Sequence, residues 1–134
     1  MDWKLEVVTI PVADVDRAKH FYSEQVGFVV DLDIQMTAET RLVQLTPPGS
    51  SCSIHLNSGL AMSPGSLQGL ILVVSNVDTA HAELAARGVE TSPVQHMDNG
   101  VWVDGRGGDW NSFVFFRDPD GNSWTLQERP APHR

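Results

Sequence analysis

One short pattern occurs twice in this chain, and it limits the fold more than any other feature. Val12-Ala13-Asp14-Val15-Asp16-Arg17-Ala18 follows an apolar run, and Val74-Ser75-Asn76-Val77-Asp78-Thr79-Ala80 follows another, close to half a chain later. In each copy a predicted strand (residues 5–12 and 70–74) ends at a residue suited to cap a helix, Asp14 or Asn76. A helical pattern follows, then a glycine-plus-apolar restart at Gly27-Phe28 and Gly88-Val89. A repeated strand–helix–strands unit predicts two modules whose sheets pair around a shared cavity. Function then depends on what lines that cavity.

The helices can be read from their ends inward. Asp14 offers its carboxylate to the first free backbone N–H groups, and Asp16 adds negative charge in the first turn. Val15, Ala18, Phe21 or Tyr22, and Val26 recur at helical spacing and leave Arg17, Lys19, Ser23 and Glu24 for solvent. In the second copy Val77, Ala80, Leu84 and Ala85 form the apolar face and Gly88 is the stop.

Strands are predicted at 28–34, 41–45, 51–57, 89–96 (interrupted by Pro93), 113–116 and 122–127, which makes each module β-α-β-β-β. Asp118-Pro119-Asp120-Gly121 is a strong turn signal between the last two. Residues 97–111, with four glycines and two tryptophans, read as a long loop. Two readings stand for Trp102 and Trp110: at least one contacts a ligand or forms a lid, or one packs under the loop to hold it. Module one covers about 4–57, the linker 58–68 and module two about 69–128, with a frayed tail at 129–134.

Composition removes several classes of function. A net charge of −8 argues against nucleic acid or an anionic membrane as partner. No apolar stretch approaches the roughly 20 residues needed to span a bilayer. Met1-Asp2-Trp3-Lys4 does not begin a secretion signal, and the single cysteine, Cys52, fits a reducing cytoplasm.

The paired modules, the segment from Val12 to Tyr22, Gly27-Phe28 and Asp118-Pro119-Asp120-Gly121-Asn122 resemble the vicinal oxygen chelate superfamily of glyoxalases, bleomycin-resistance proteins and extradiol dioxygenases. Gln44 to Ser50, Cys52-Ser53-Ile54 and Trp124 to Glu128 are similar to a small glyoxalase-like branch of it. The resemblance implies an α+β fold of two tandem βαβββ modules with mixed sheets curving around a cavity. It also implies four cavity-facing metal positions, which fall here at Val7, His55, Gly69 (or Gln68) and Thr125. One imidazole, a hydroxyl and an amide at most do not make a usual divalent transition-metal site, so the expectation is that no metal is bound. A divalent metal completed by Asp98, Asp104 or Asp109 is the alternative.

Two functional classes therefore stand. The first is a metal-independent protein that binds a small aromatic or amphipathic molecule through Val7, Thr9, Ser53, His55, Asn57, Gly69, Trp102, Trp110 and Thr125. The second is a lyase, isomerase or dioxygenase with an unusual metal site, or with His55 as acid or base. His55 is equally open to a structural reading as a partly buried histidine. Cys52 reads as an inert thiol, Arg41 as a solvated strand-end charge, Trp124 as core or interface, and Phe113, Phe115 and Phe116 as core. His20 and His81 read as solvated. The resemblance also implies a homodimer.

Overall fold

The computed structural model describes residues 1–132, which divide into two units: Met1–Leu67 with Asp118–Asn122, and Gln68–Arg117 with the described residues from Ser123 onward. The first unit runs β1 (Val7–Pro11), α1 (Val15–His20), β2 (Val29–Gln35), β3 (Arg41–Thr46) and β4 (Ser53–Asn57). Its sheet is ordered β1-β4-β3-β2, with β1 parallel to β4 and the other pairs antiparallel. Asp14 caps α1 as predicted, its carboxylate accepting from the Arg17 N–H at 3.1 Å. The helix then widens into a π-helical turn over Phe21–Gln25. The extra residue per turn lets two adjacent aromatics face inward, so both Phe21 and Tyr22 are buried. They join Ile10, Val12, Ala18, Phe28, Val43, Leu45, Ile54 and Leu56 in the core.

The turn Asp118–Asn122 is a clasp within this unit. Buried Asp118 accepts the backbone N–H groups of Asp120, Gly121 and Asn122 on Oδ1. On Oδ2 it accepts the Tyr22 hydroxyl and the Asn122 amide, both at 2.7 Å. Asn122 also donates to the Pro11 carbonyl and accepts from the Leu67 N–H. Asp120 accepts from the Ala13 N–H and pairs with Arg17 at 2.9 Å.

The second unit runs β5 (Leu70–Val74), α2 (Val77–Ala86), β6 (Gln95–Asp98), β7 (Val101–Asp104), β8 (Phe113–Arg117) and β9 (Ser123–Glu128), ordered β5-β9-β8-β6-β7. Its first four positions repeat the order of the first sheet, and β7 is an added edge strand. Asn76 caps α2 through the Thr79 N–H at 3.0 Å, and Val77, Leu84, Val89, Val114, Phe116, Trp124 and Leu126 are buried. Phe116 and Trp124 stack with ring centroids 6.2 Å apart.

Two expectations fail in this unit. The strand expected over 89–96 reduces to an isolated bridge from Thr91 to Phe116, because Pro93 supplies no N–H to a ladder; regular pairing begins only at Gln95. The loop expected over 97–111 contains a β-hairpin. Asn99 and Gly100 take φ of 50° and 79° and close β6 onto β7, a two-residue turn that asparagine and glycine adopt readily. The remaining loop is pinned. Asn111 exchanges hydrogen bonds with both backbone groups of Met97, and Arg106 pairs with Asp78 and Glu128. The tail begins with the Arg129 N–H bonded to the Val74 carbonyl, and residues 133–134 lie outside the described residues.

Candidate functional site

Each sheet packs its core on one face, and the other face carries the side chains on which function was expected to rest. In the first unit strand alternation puts Ile54 and Leu56 on the core face and Ser53 (itself buried), His55 and Asn57 on the other. Register sets Val7 beside Ser53 and Thr9 beside His55 on that second face, with Gln44 flanking His55 on its other side. Five of the predicted residues therefore share one face: Val7, Thr9, Ser53, His55 and Asn57.

A polar network on this face was missed from the sequence. His55 Nε2 lies 2.8 Å from Gln44 Oε1, and Gln44 Nε2 donates to Asp31 Oδ2 at 3.1 Å. The Thr46 hydroxyl donates to the same carboxylate and lies 2.6 Å from the Ser53 hydroxyl. These hydrogen bonds, Thr46 first and Gln44 second, hold the Asp31 carboxyl below its ordinary pKa against a small opposing effect of burial. A register shift between Val30 and Leu32 makes the arrangement possible. Asp31 becomes the extra residue of a bulge opposite Gln44, and the strand beyond it reverses its facing. Asp33 is thereby turned toward α1, where it meets Lys19 at 2.7 Å and the Arg41 guanidinium through two hydrogen bonds. Arg41, expected to be solvated, is instead paired with both Asp33 and Asp16. The signal available in the sequence was the polar alternation of Gln44 and Thr46 within a strand that otherwise reads as apolar.

In the second unit the open face is aromatic. Trp102 on β7 sets its edge against Phe113 at 5.3 Å and Phe115 at 5.0 Å, and those two rings are parallel, 6.3 Å apart. Phe113 and Phe115, expected in the core with Phe116, alternate away from it and are half-buried. Register continues the row through Thr125 and Gln127 on β9 to Ile71 and Val73 on β5. Trp102 is 43% exposed, Ile71 57% and Val73 52%, so this is a broad apolar surface open in the isolated chain.

Trp110 lies beyond the hairpin. Its φ is +60°, unusual for a bulky residue, and its carbonyl accepts from the Gln127 amide at 2.9 Å. Gly69 precedes β5 with φ +80°, and its N–H donates to the Ser123 hydroxyl. Cys52 is half-buried, and its Sγ lies 3.7 Å from the Ser53 carbonyl oxygen. His81 is half-buried on α2 and His20 exposed on α1.

Of the side chains at the four positions that the resemblance implies for a metal, Val7 and Gly69 have no donor atom, Gln68 (the alternative to Gly69) has an amide, Thr125 has a hydroxyl, and His55 Nε2 is engaged by Gln44. Asp104 accepts from the Gln95 amide at 3.0 Å. Among the described residues no three His, Cys, Asp or Glu side chains cluster as a metal site would need. No helix among them is long and apolar enough to cross a membrane.

Comparison with known proteins places this geometry in a family. The chain is 34% identical to TnmS3, an antibiotic binding protein from Streptomyces sp. CB03234, with a TM-score of 0.78 over 96% of this chain and 98% of that one. A glyoxalase/bleomycin resistance protein from the same Streptomyces is 36% identical, with a TM-score of 0.73 over 90% of this chain and 96% of that one. The uncharacterized protein YetH of Bacillus subtilis (strain 168) is 27% identical over 93% of this chain and 98% of its own length. The family model matches residues 4–126, nearly everything from the first strand to the last, and the chain belongs to the Glyoxalase/Bleomycin resistance protein/Dioxygenase superfamily.

Proposed function

We propose that the protein binds a small, flat aromatic or amphipathic molecule, without the family metal, and sequesters it rather than transforming it. The observation that carries this reading is the Trp102–Phe113–Phe115 cluster with Ile71 and Val73 beside it. An apolar face of this breadth, left open in the isolated chain, marks a surface that something covers, and aromatic rings favour a ligand that stacks. The antibiotic-binding relative supports a ligand of this class. The donor set at the metal positions supports the metal-free part, since one imidazole, one hydroxyl and at most one amide fall short of the three good ligands a transition-metal site uses.

Calorimetric titration of the protein with 2-naphthol and with a panel of flat aromatic antibiotics tests the reading. Saturable binding is expected, weakened about 10-fold or more in Trp102→Ala. Failure of every compound to bind, or equal binding by Trp102→Ala, would overturn it.

A second reading, an enzyme that uses His55 as acid or base, is favoured by the hydrogen bond from His55 to Gln44 and on to Asp31. Under it, His55→Ala abolishes turnover; under the binding reading it only weakens uptake. Mass spectrometry of the purified protein decides the metal. Stoichiometric zinc, nickel, iron or manganese would favour the enzyme.

A further inference from the structure

We infer that the aromatic face of the second unit selects a cation: a flat ring system bearing an amine protonated at neutral pH, its ammonium lying on the Trp102 indole and drawn there by Asp104. The inference rests on the binding function proposed above and adds a sign of charge to the ligand.

The two residues share one face. Trp102 and Asp104 are two positions apart on β7, so alternation turns both the same way. Trp102 identifies that face, because it touches Phe113 and Phe115. Asp104 is tied to it through Gln95, which is in register with Asp104 on one side and with Phe113 on the other. The Gln95 amide donates to Asp104 Oδ1 at 3.0 Å and so holds the carboxylate beside the rings.

The rings suit a cation. Trp102 stands at 86° to Phe113 and 81° to Phe115, so neither phenyl ring is stacked on an indole face. Indole is the best side-chain partner for an ammonium held over a ring, and Trp102 is 43% exposed.

The charges around it have one sign at short range. From Gly88 to Gly105 there is no Lys or Arg, against Glu90, Asp98 and Asp104. Arg106, next along the chain, is drawn off by Asp78 and Glu128. Two arginines do compete. Arg117 lies two positions past Phe115 on β8, and Arg129 follows the end of β9. Strand geometry puts their Cα atoms about 20 Å and about 14 Å from that of Trp102, compared with about 7 Å for Asp104. Screening at physiological salt acts over about 8 Å, so Asp104 sets the local potential. The net charge of −8 draws cations toward the chain as a whole.

The test compares three probes with the same rings by calorimetry in low-salt buffer at neutral pH: 2-naphthylmethylamine, 2-naphthalenemethanol and 2-naphthoate. The amine should bind about 5-fold more tightly than the alcohol, with the carboxylate weakest. Sodium chloride at high concentration should shrink the preference. Asp104→Asn keeps an acceptor for Gln95 but removes the charge, and it should lose more affinity for the amine than for the alcohol. Asp98→Asn makes the same charge change on the other face of the hairpin and should affect the preference less.

A carboxylate that binds as well as the amine would overturn the inference, as would a preference unchanged in Asp104→Asn. Equal binding of amine and alcohol would overturn charge selection and leave the binding function standing. Absence of binding by all three probes and by 2-naphthol would overturn the binding function, and charge selection with it.

Discussion

Asp118 shows at the scale of one residue how much a short turn motif can carry. Its two oxygens accept five hydrogen bonds, three from the backbone of its own turn and two from the Tyr22 and Asn122 side chains. Asp118→Ala would strand those donors in a buried site, each unmade bond costing about 1–3 kcal/mol before relaxation. We expect a loss of about 3 kcal/mol or more in chemical denaturation, and about 1 kcal/mol for Tyr22→Phe. Gly65→Ala tests the same clasp sterically. A Cβ there would meet the Asp120 carbonyl oxygen at 2.0 Å, on a backbone held at φ +81° that suits glycine. The variant should unfold at distinctly lower denaturant than wild type.

Asp33 supplies a pH dependence. Its hydrogen bonds from Arg41, then Lys19, hold its carboxyl well below the ordinary carboxylate range. A depressed folded-state pKa adds stability that is complete above the unfolded value of about 4 and is lost as pH falls through the folded one. Thermal stability should therefore decline below about pH 4, with a shallower decline in Asp33→Asn.

At the scale of elements, the two helix caps were legible because capping is local chemistry. Asp14 and Asn76 each accept the N–H three residues on, as their side chains and positions imply. Asn76→Ala should cost about 1 kcal/mol in denaturant unfolding, with m unchanged. The β6–β7 hairpin was equally local, written in Asn99-Gly100, but glycines and tryptophans further along made the whole stretch read as loop. The bulge at Asp31 was not legible. Its sequence alternates acceptably in either register, and only pairing with β3 decides that Leu32 rather than Asp31 opposes Gln44. That one inserted residue both places Asp31 in the His55 network and turns Asp33 toward Lys19.

At the scale of the whole molecule, the internal repeat and its turn motifs were enough to indicate the superfamily, because both depend on spacings the chain preserves from 4 to 126. The site was legible only in part. Strand alternation placed Thr9, Ser53 and His55 on one face, whereas the facing of Phe113 and Phe115 required knowing where the helix-side core lay. The homodimer that the resemblance implies is a prediction: light scattering should give twice the chain mass, and a single chain mass would overturn it.

The most direct test of the central claim, that the aromatic face takes a small molecule, is an NMR titration of the labelled protein with 2-naphthol. The account predicts saturable shifts at the Trp102 indole and at Ile71, Val73, Phe113, Phe115 and Thr125. Shifts confined to the surfaces of α1 and α2, or none at all, would contradict it.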